Sequence, residues 1–175
     1  YWFAQLVGGI FAGLGVYLFF IKEIKNFELI NNIIPNNVSG ARTASIFGEF
    51  FPNPGYIDKI HNLSELSACV YECIGTFILM TSILWFTKIK KTRKISPILI
   101  GLTVVILIIW IAPFTQCGIN PARDFGPRLV AYYLHWGSGA FPSGQISFLT
   151  VYIISPLTGA FISTLLFQKL LKLFG

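Results

Sequence analysis

Charge is what this sequence has least of. Only 11% of its 175 residues are Asp, Glu, Lys or Arg, where a soluble domain carries about 25%. So few charges cannot cover a globule of this size, which excludes a soluble enzyme. With 54% hydrophobic residues and a mean hydropathy of +0.70, a disordered tail is excluded as well. The net charge of +6 does not indicate a nucleic-acid arm. Such an arm needs cations spread over a binding face, and five of the thirteen crowd into one short gap, Lys88, Lys90, Lys91, Arg93 and Lys94. Cysteine is scarce too. Cys69, Cys73 and Cys117 make no spaced framework, so neither a zinc site nor a disulfide scaffold is indicated. The two histidines, His61 and His135, fall in loop stretches and read as bystanders rather than ligands. No metal and no cofactor are expected. None of the apolar runs reads as a signal peptide: the first, from Tyr1, has no basic n-region. The chain's first residues already lie inside an apolar run, so it reads as the later part of a longer chain.

Long apolar runs are what the sequence does have. Crossing a hydrocarbon core takes about 20 mostly apolar residues. Four stretches qualify, at about 2–21, 66–86, 98–114 and 148–166. The gap from Lys88 to Lys94 holds no acid, and short loops rich in Lys and Arg stay on the cytoplasmic side. The second span then ends inside and the third begins there. Residues 22–65 become an external loop. Lys169 and Lys172 fall at the cytoplasmic end of the fourth span, as the same rule requires.

Between the third and fourth spans, Gln116 to Gln145 is too apolar for a solvated loop and too broken for a fifth span. Asn120 is a good N-cap, and Pro121 suits the first helical position. A short helix should begin there, over a re-entrant loop and half-helix at about 115–133. One reading is an ordinary capped surface helix. The other is a half-helix entering the membrane, where Arg123 would mark a permeation pathway. Glu72 is the one acid inside a span, either near the interface or hydrogen-bonded within the protein. Gly9 and Gly13 are four apart, as are Ser155, Gly159 and Ser163, a spacing that lets helices approach closely in lipid. Cys69 and Cys73 read as packing residues.

At Asn120-Pro121-Ala122-Arg123-Asp124-Phe125-Gly126-Pro127-Arg128 the chain resembles the second signature loop of the aquaporin superfamily. The resemblance covers essentially the whole chain. Phe3 to Gly9 is similar to that family's third span, Glu72 to Thr76 to its fourth, Ser96 to Leu102 to its fifth and Ser155 to Ala160 to its sixth. It implies an all-α transmembrane fold, an aquaporin-like helical bundle with a re-entrant half-helix, truncated at the N-terminus. The first two spans and the first Asn-Pro-Ala loop lie outside it. Asp124, Arg128 and the Pro52-Asn53-Pro54 extension resemble the glycerol-conducting branch.

By that resemblance the constriction is formed by Ile108 and Cys117 with Arg123. Ile108 offers an apolar wall where water channels place a His, and an apolar wall facing a guanidinium suits a polyol. The carbonyls of Cys117, Gly118 and Ile119 would accept from solute hydroxyls. Asn120, followed by Pro121 and Ala122, would present amide donors at the positive end of the half-helix. Glu72 would hold the re-entrant loop through backbone N–H groups, and Asp124 would anchor the first turn of the half-helix. Neither branch is matched cleanly: Ile108 stands where facilitators often have Gly, and Tyr152-Ile153 where they favour Pro and an aliphatic.

The function implied is passive transport, not catalysis: a channel for glycerol and other small neutral solutes, with water among them. Two alternatives stand beside it, a water-selective channel and a non-conducting scaffold or half-channel. The implied setting is a multi-pass protein of the plasma membrane, a homotetramer in the lipid bilayer with one pore per subunit, and no nucleic-acid partner.

Overall fold

The structure, a computed structural model, describes residues 1–56, 60, 63–141 and 145–174. The elements are α1 (Trp2–Ile30), α2 (Ala41–Ala44), α3 (Glu65–Lys88), α4 (Ser96–Thr115), α5 (Pro121–Ala131), α6 (Gln145–Phe148) and α7 (Ser155–Phe174). A π-helical turn, Tyr132–Trp136, extends α5, and another, Leu149–Ile154, joins α6 to α7. There is no strand among the described residues. Four helices, counting α6 and α7 as one span, are long and apolar enough to cross a membrane.

The first helix continues beyond the apolar run expected as a span at about 2–21 and into the expected external loop, ending at Ile30. Lys22, Glu23, Lys25 and Glu28 end the apolar run but do not end a helix, because all are tolerable helix formers. The stop comes at Asn31, with Asn32 at a positive φ of 53°. At 1.5 Å per residue the 29 residues span about 43 Å, more than a hydrocarbon core of about 30 Å. The rest of the expected loop also carries structure, in α2 and a 3₁₀ turn at Val38–Gly40.

Small residues set the helix contacts. A Cβ on Gly9 would stand 2.8 Å from the Ala122 carbonyl, and one on Gly13 would stand 2.7 Å from Pro127 Cα. α1 and α5 therefore touch backbone to backbone and run parallel, Gly9 level with Ala122 and Gly13 level with Pro127. On the other side, Gly159 of α7 packs directly on the Cys73 carbonyl of α3. Higher up, the Thr81 and Ser163 hydroxyls meet at 2.8 Å, and Trp85 meets Phe167 edge to face at 6.4 Å. α3 and α7 thus run in the same direction. Lipid gives no hydrophobic push between helices, so close van der Waals contact and hydrogen bonds supply the attraction. Outward faces stay apolar: Phe11, Leu18, Phe19, Ile98, Ile106 and Ile109 are all exposed.

Candidate functional site

α4 carries Pro113 in its last turn and ends at Thr115 in a left-handed cap, Gln116 at φ 61°. Cys117 and Ile119 also have positive φ, 67° and 35°. Three non-glycine residues in this region cost free energy that the surroundings must supply. Glu72 of α3 does much of that. Its carboxylate, fully buried, accepts from the Gly118 N–H at 2.9 Å, the Ile119 N–H at 2.7 Å and the Thr115 hydroxyl at 2.5 Å. Tyr152, in the second π-turn, donates its hydroxyl to the Thr115 carbonyl at 3.1 Å. Its ring lies so close that a Cβ on Gly118 would meet it at 2.7 Å, so only glycine fits at 118.

The loop then feeds α5. Asn120 is extended, and its side-chain oxygen accepts from the N–H groups of Ala122 and Arg123, at 3.1 and 3.3 Å, with Pro121 first in the helix. The Asn120 oxygen is thus used inside the cap. This end of α5 stands level with Gly9 of α1, and the helix runs out parallel to α1. At its far end His135 Nε2 meets the Glu28 carboxylate at 2.8 Å. The Thr43 hydroxyl donates to Glu28 at 2.7 Å and accepts from the Trp136 indole at 2.9 Å. His135, expected on a loop and not as a ligand, is part of a partly buried tie between α1, α2 and the π-turn that extends α5. His61 lies outside the described residues.

Arg123 projects from the first turn of α5, with its side chain 57% exposed, and forms an ion pair with the buried carboxylate of Glu49. Asp124 does not act on its own helix end alone. One of its oxygens accepts from the Glu49 N–H at 2.5 Å, and both accept from Arg128, at 2.8 and 3.1 Å. Arg128 is wholly buried. It also donates to the carbonyls of Glu49 and Ala140, each at 2.5 Å, and lies over the rings of Phe148 and Phe50 at 4.9 and 5.1 Å. Among the described residues no buried side-chain polar atom lacks a partner.

A cavity of about 470 Å³ opens around these groups. It is lined by apolar Ile108, Val104, Leu79 and Ala112, by polar Arg123, Asn120, Gln116, Glu49, Asn53 and Ser45, and by the loop from Cys117 to Ile119. Every residue expected at the constriction therefore borders one space. Cys117 reaches it with little surface. It is 5% exposed and packs among Leu107, Ile111 and Ile119. A separate cavity of about 640 Å³, between Asn36, Arg42, Phe51 and Phe141, contains none of them.

Three lining residues came without any sequence expectation of a role. Glu49 reaches Arg123. Gln116 accepts from the Phe50 N–H at 2.7 Å. Asn53 donates to the Ala112 carbonyl at 2.6 Å, while its own N–H bonds the Phe114 carbonyl at 3.0 Å. Gln116 and Asn53 fasten the 47–54 segment over the end of α4, and Glu49 ties it to α5. The signal in the sequence was the Pro52-Asn53-Pro54 extension, which marked the segment but gave no role to Glu49, Gln116 or Asn53.

Comparison with known proteins gives the family. Residues 1–167 match the family described as Major intrinsic protein. This chain belongs to that family. Among its relatives is the glycerol uptake facilitator protein of Escherichia coli (strain K12), 30% identical over 172 residues, covering 96% of this chain and 58% of the relative. The namesake of Pseudomonas aeruginosa is 33% identical over 161 residues, 90% of this chain and 55% of the relative. The propanediol uptake facilitator PduF of Salmonella typhimurium is 30% identical over 165 residues, 91% and 59%. The chain thus spans a little under three fifths of the length of these relatives. As a major intrinsic protein it has an all-α, aquaporin-like bundle and is an integral, multi-pass membrane protein.

Proposed function

We propose that the protein is a passive channel for glycerol and other small neutral solutes, with water passing alongside. The observation that carries this reading is the mixed apolar and polar lining of the cavity at the start of α5. A polyol has a carbon face and a hydroxyl face. Ile108, Val104 and Leu79 can take the first; Arg123 and the Asn120 amide can donate to the second, and the carbonyls of Cys117, Gly118 and Ile119 can accept from it. The positive end of the α5 dipole points the same way. Together with the Arg123 charge it opposes cations and interrupts a proton wire. Relatives named for glycerol and propanediol uptake support the solute class.

On this reading α5 is a half-helix inside the membrane, and α1, α3, α4 and α6–α7 are the spans around it. Passage needs no covalent step. The site lowers the cost of stripping water from the solute by offering hydrogen bonds in its place, few enough that the solute leaves again. The subunits are proposed to assemble as tetramers in the plasma membrane. The test is stopped-flow light scattering on proteoliposomes that carry the protein as its gene encodes it. Glycerol flux above that of empty vesicles supports the reading. Water flux without glycerol flux replaces it with a water channel, and neither flux with a scaffold.

A further inference from the structure

We propose that Glu49 is a positioning residue for the selectivity of this pore: its carboxylate holds the Arg123 guanidinium against one wall of the constriction and offsets its charge. The proposal rests on the channel reading above and deepens it.

The first support is how firmly residue 49 is fixed. Its N–H donates to Asp124 at 2.5 Å and its carbonyl accepts from Arg128 at 2.5 Å. Asp124 and Arg128 are themselves a fully buried pair. Both sides of the Glu49 peptide are therefore clamped to α5, the same helix that carries Arg123. The second is the space beside it. A Cβ on Gly48 would stand 2.7 Å from the Arg128 guanidinium, so the preceding residue has no side chain, and the segment lies flat on Arg128. The third is burial. Glu49 is 3% exposed, and a buried carboxylate demands a charged or donating partner. Its side-chain partner is Arg123. The pair borders the same cavity as Ile108 and Asn120.

The consequence is steric and electrostatic. A free guanidinium on a long side chain explores many rotamers, and some of them cross the gap toward Ile108. Glu49 restricts it to the wall, occupies part of its donor set and leaves the remaining N–H groups facing the cavity in one orientation. The carboxylate beside it partly offsets the positive charge and sets an acceptor next to the donor. Such a site pairs a donor with an acceptor, as a hydroxyl requires. Released, Arg123 would narrow the passage for glycerol more than for water.

The experiment measures glycerol and water permeability in the same proteoliposomes for wild type, Glu49→Gln, Glu49→Asp, Arg123→Ala and the Glu49→Gln/Arg123→Ala double variant. A partly exposed ion pair is worth up to about a fivefold change in an equilibrium or a rate. The glycerol-to-water ratio is therefore expected to fall by about three- to fivefold in Glu49→Gln. Glu49→Asp, which withdraws the carboxylate by one methylene, should move it the same way and serves where the Gln variant fails to fold. In the Arg123→Ala background the Gln substitution should leave the ratio where Arg123→Ala put it. An unchanged ratio in the single variants, or a full further shift in the double variant, overturns the proposal while leaving the channel standing. A wild type that conducts nothing overturns the channel reading, and the proposal with it.

Discussion

Single residues hold this site by charges that solvent does not reach. Asp124 and Arg128 sit one turn apart on α5, both fully buried, and Arg128 distributes its remaining donors to two carbonyls from other parts of the chain. Breaking a buried pair from one side leaves the other charge uncompensated, at about 3–5 kcal/mol. Asp124→Asn is expected to lose that much in unfolding experiments in detergent, and a loss below about 1 kcal/mol, the level of a surface pair, would show the pair to be solvated. Glu72 has a different role. It answers two loop N–H groups and a hydroxyl, and no other side chain takes its place. Hydrogen bonds to a charged group contribute about 1.5–3 kcal/mol each. Glu72→Gln, which turns an acceptor oxygen into a competing donor, should lose at least one such bond and lower flux together with the unfolding midpoint. Full flux at an unchanged midpoint would remove Glu72 as the support of the 116–120 loop.

Elements meet here through glycines, and that interface can be tested without touching the cavity. A methyl group on Gly159 has nowhere to go but the Cys73 carbonyl. Both partners are backbone, so relief requires α7 to move off α3, and overpacking of this kind costs about 1–3 kcal/mol. Gly159→Ala should therefore lower the unfolding midpoint clearly. Thr158→Ala, its exposed neighbour on the same helix, should stay within about 0.5 kcal/mol of wild type. Equal effects would mean that α3 and α7 are not in backbone contact. The glycine spacing was legible in the sequence, as were the four apolar runs and the Asn120 cap. These are local signals, each written within one or two helical turns. The reach of α1 to Ile30 was not, because charged residues end a hydropathy run without ending a helix. Nor was Glu49. Its partners lie 74 and more positions away along the chain, and a lone Glu in an expected external loop looks solvated until the fold brings α5 beneath it. The 5% exposure of Cys117 was equally hidden: a residue's place on a loop does not state which way its Cβ points when φ is positive.

The whole molecule separates its charge by ends. α3 and α7 run in parallel, so the Lys88–Lys94 gap and Lys169 with Lys172 lie at one end, seven cations without an acid. The other six cations share the remainder of the chain with all seven acids, so the net charge of +6 is concentrated at the basic end. Cations near an anionic leaflet gain about 1 kcal/mol each, and translocating them during insertion is unfavourable. The basic end is therefore expected in the cytoplasm, which puts α2 and the 47–54 segment outside. This orientation can be read with two cysteines in a background lacking Cys69, Cys73 and Cys117. Val38, 88% exposed, marks the far end, and Lys91, also exposed, marks the basic one. A membrane-impermeant maleimide added to intact cells should label Val38→Cys and not Lys91→Cys, and opening the cells should make both react. Labelling of Lys91→Cys alone in intact cells would invert the molecule. It would also turn the mouth beside Arg123 and Glu49 toward the cytoplasm, so that a solute entering the cell would meet the Asn120 cap before the constriction.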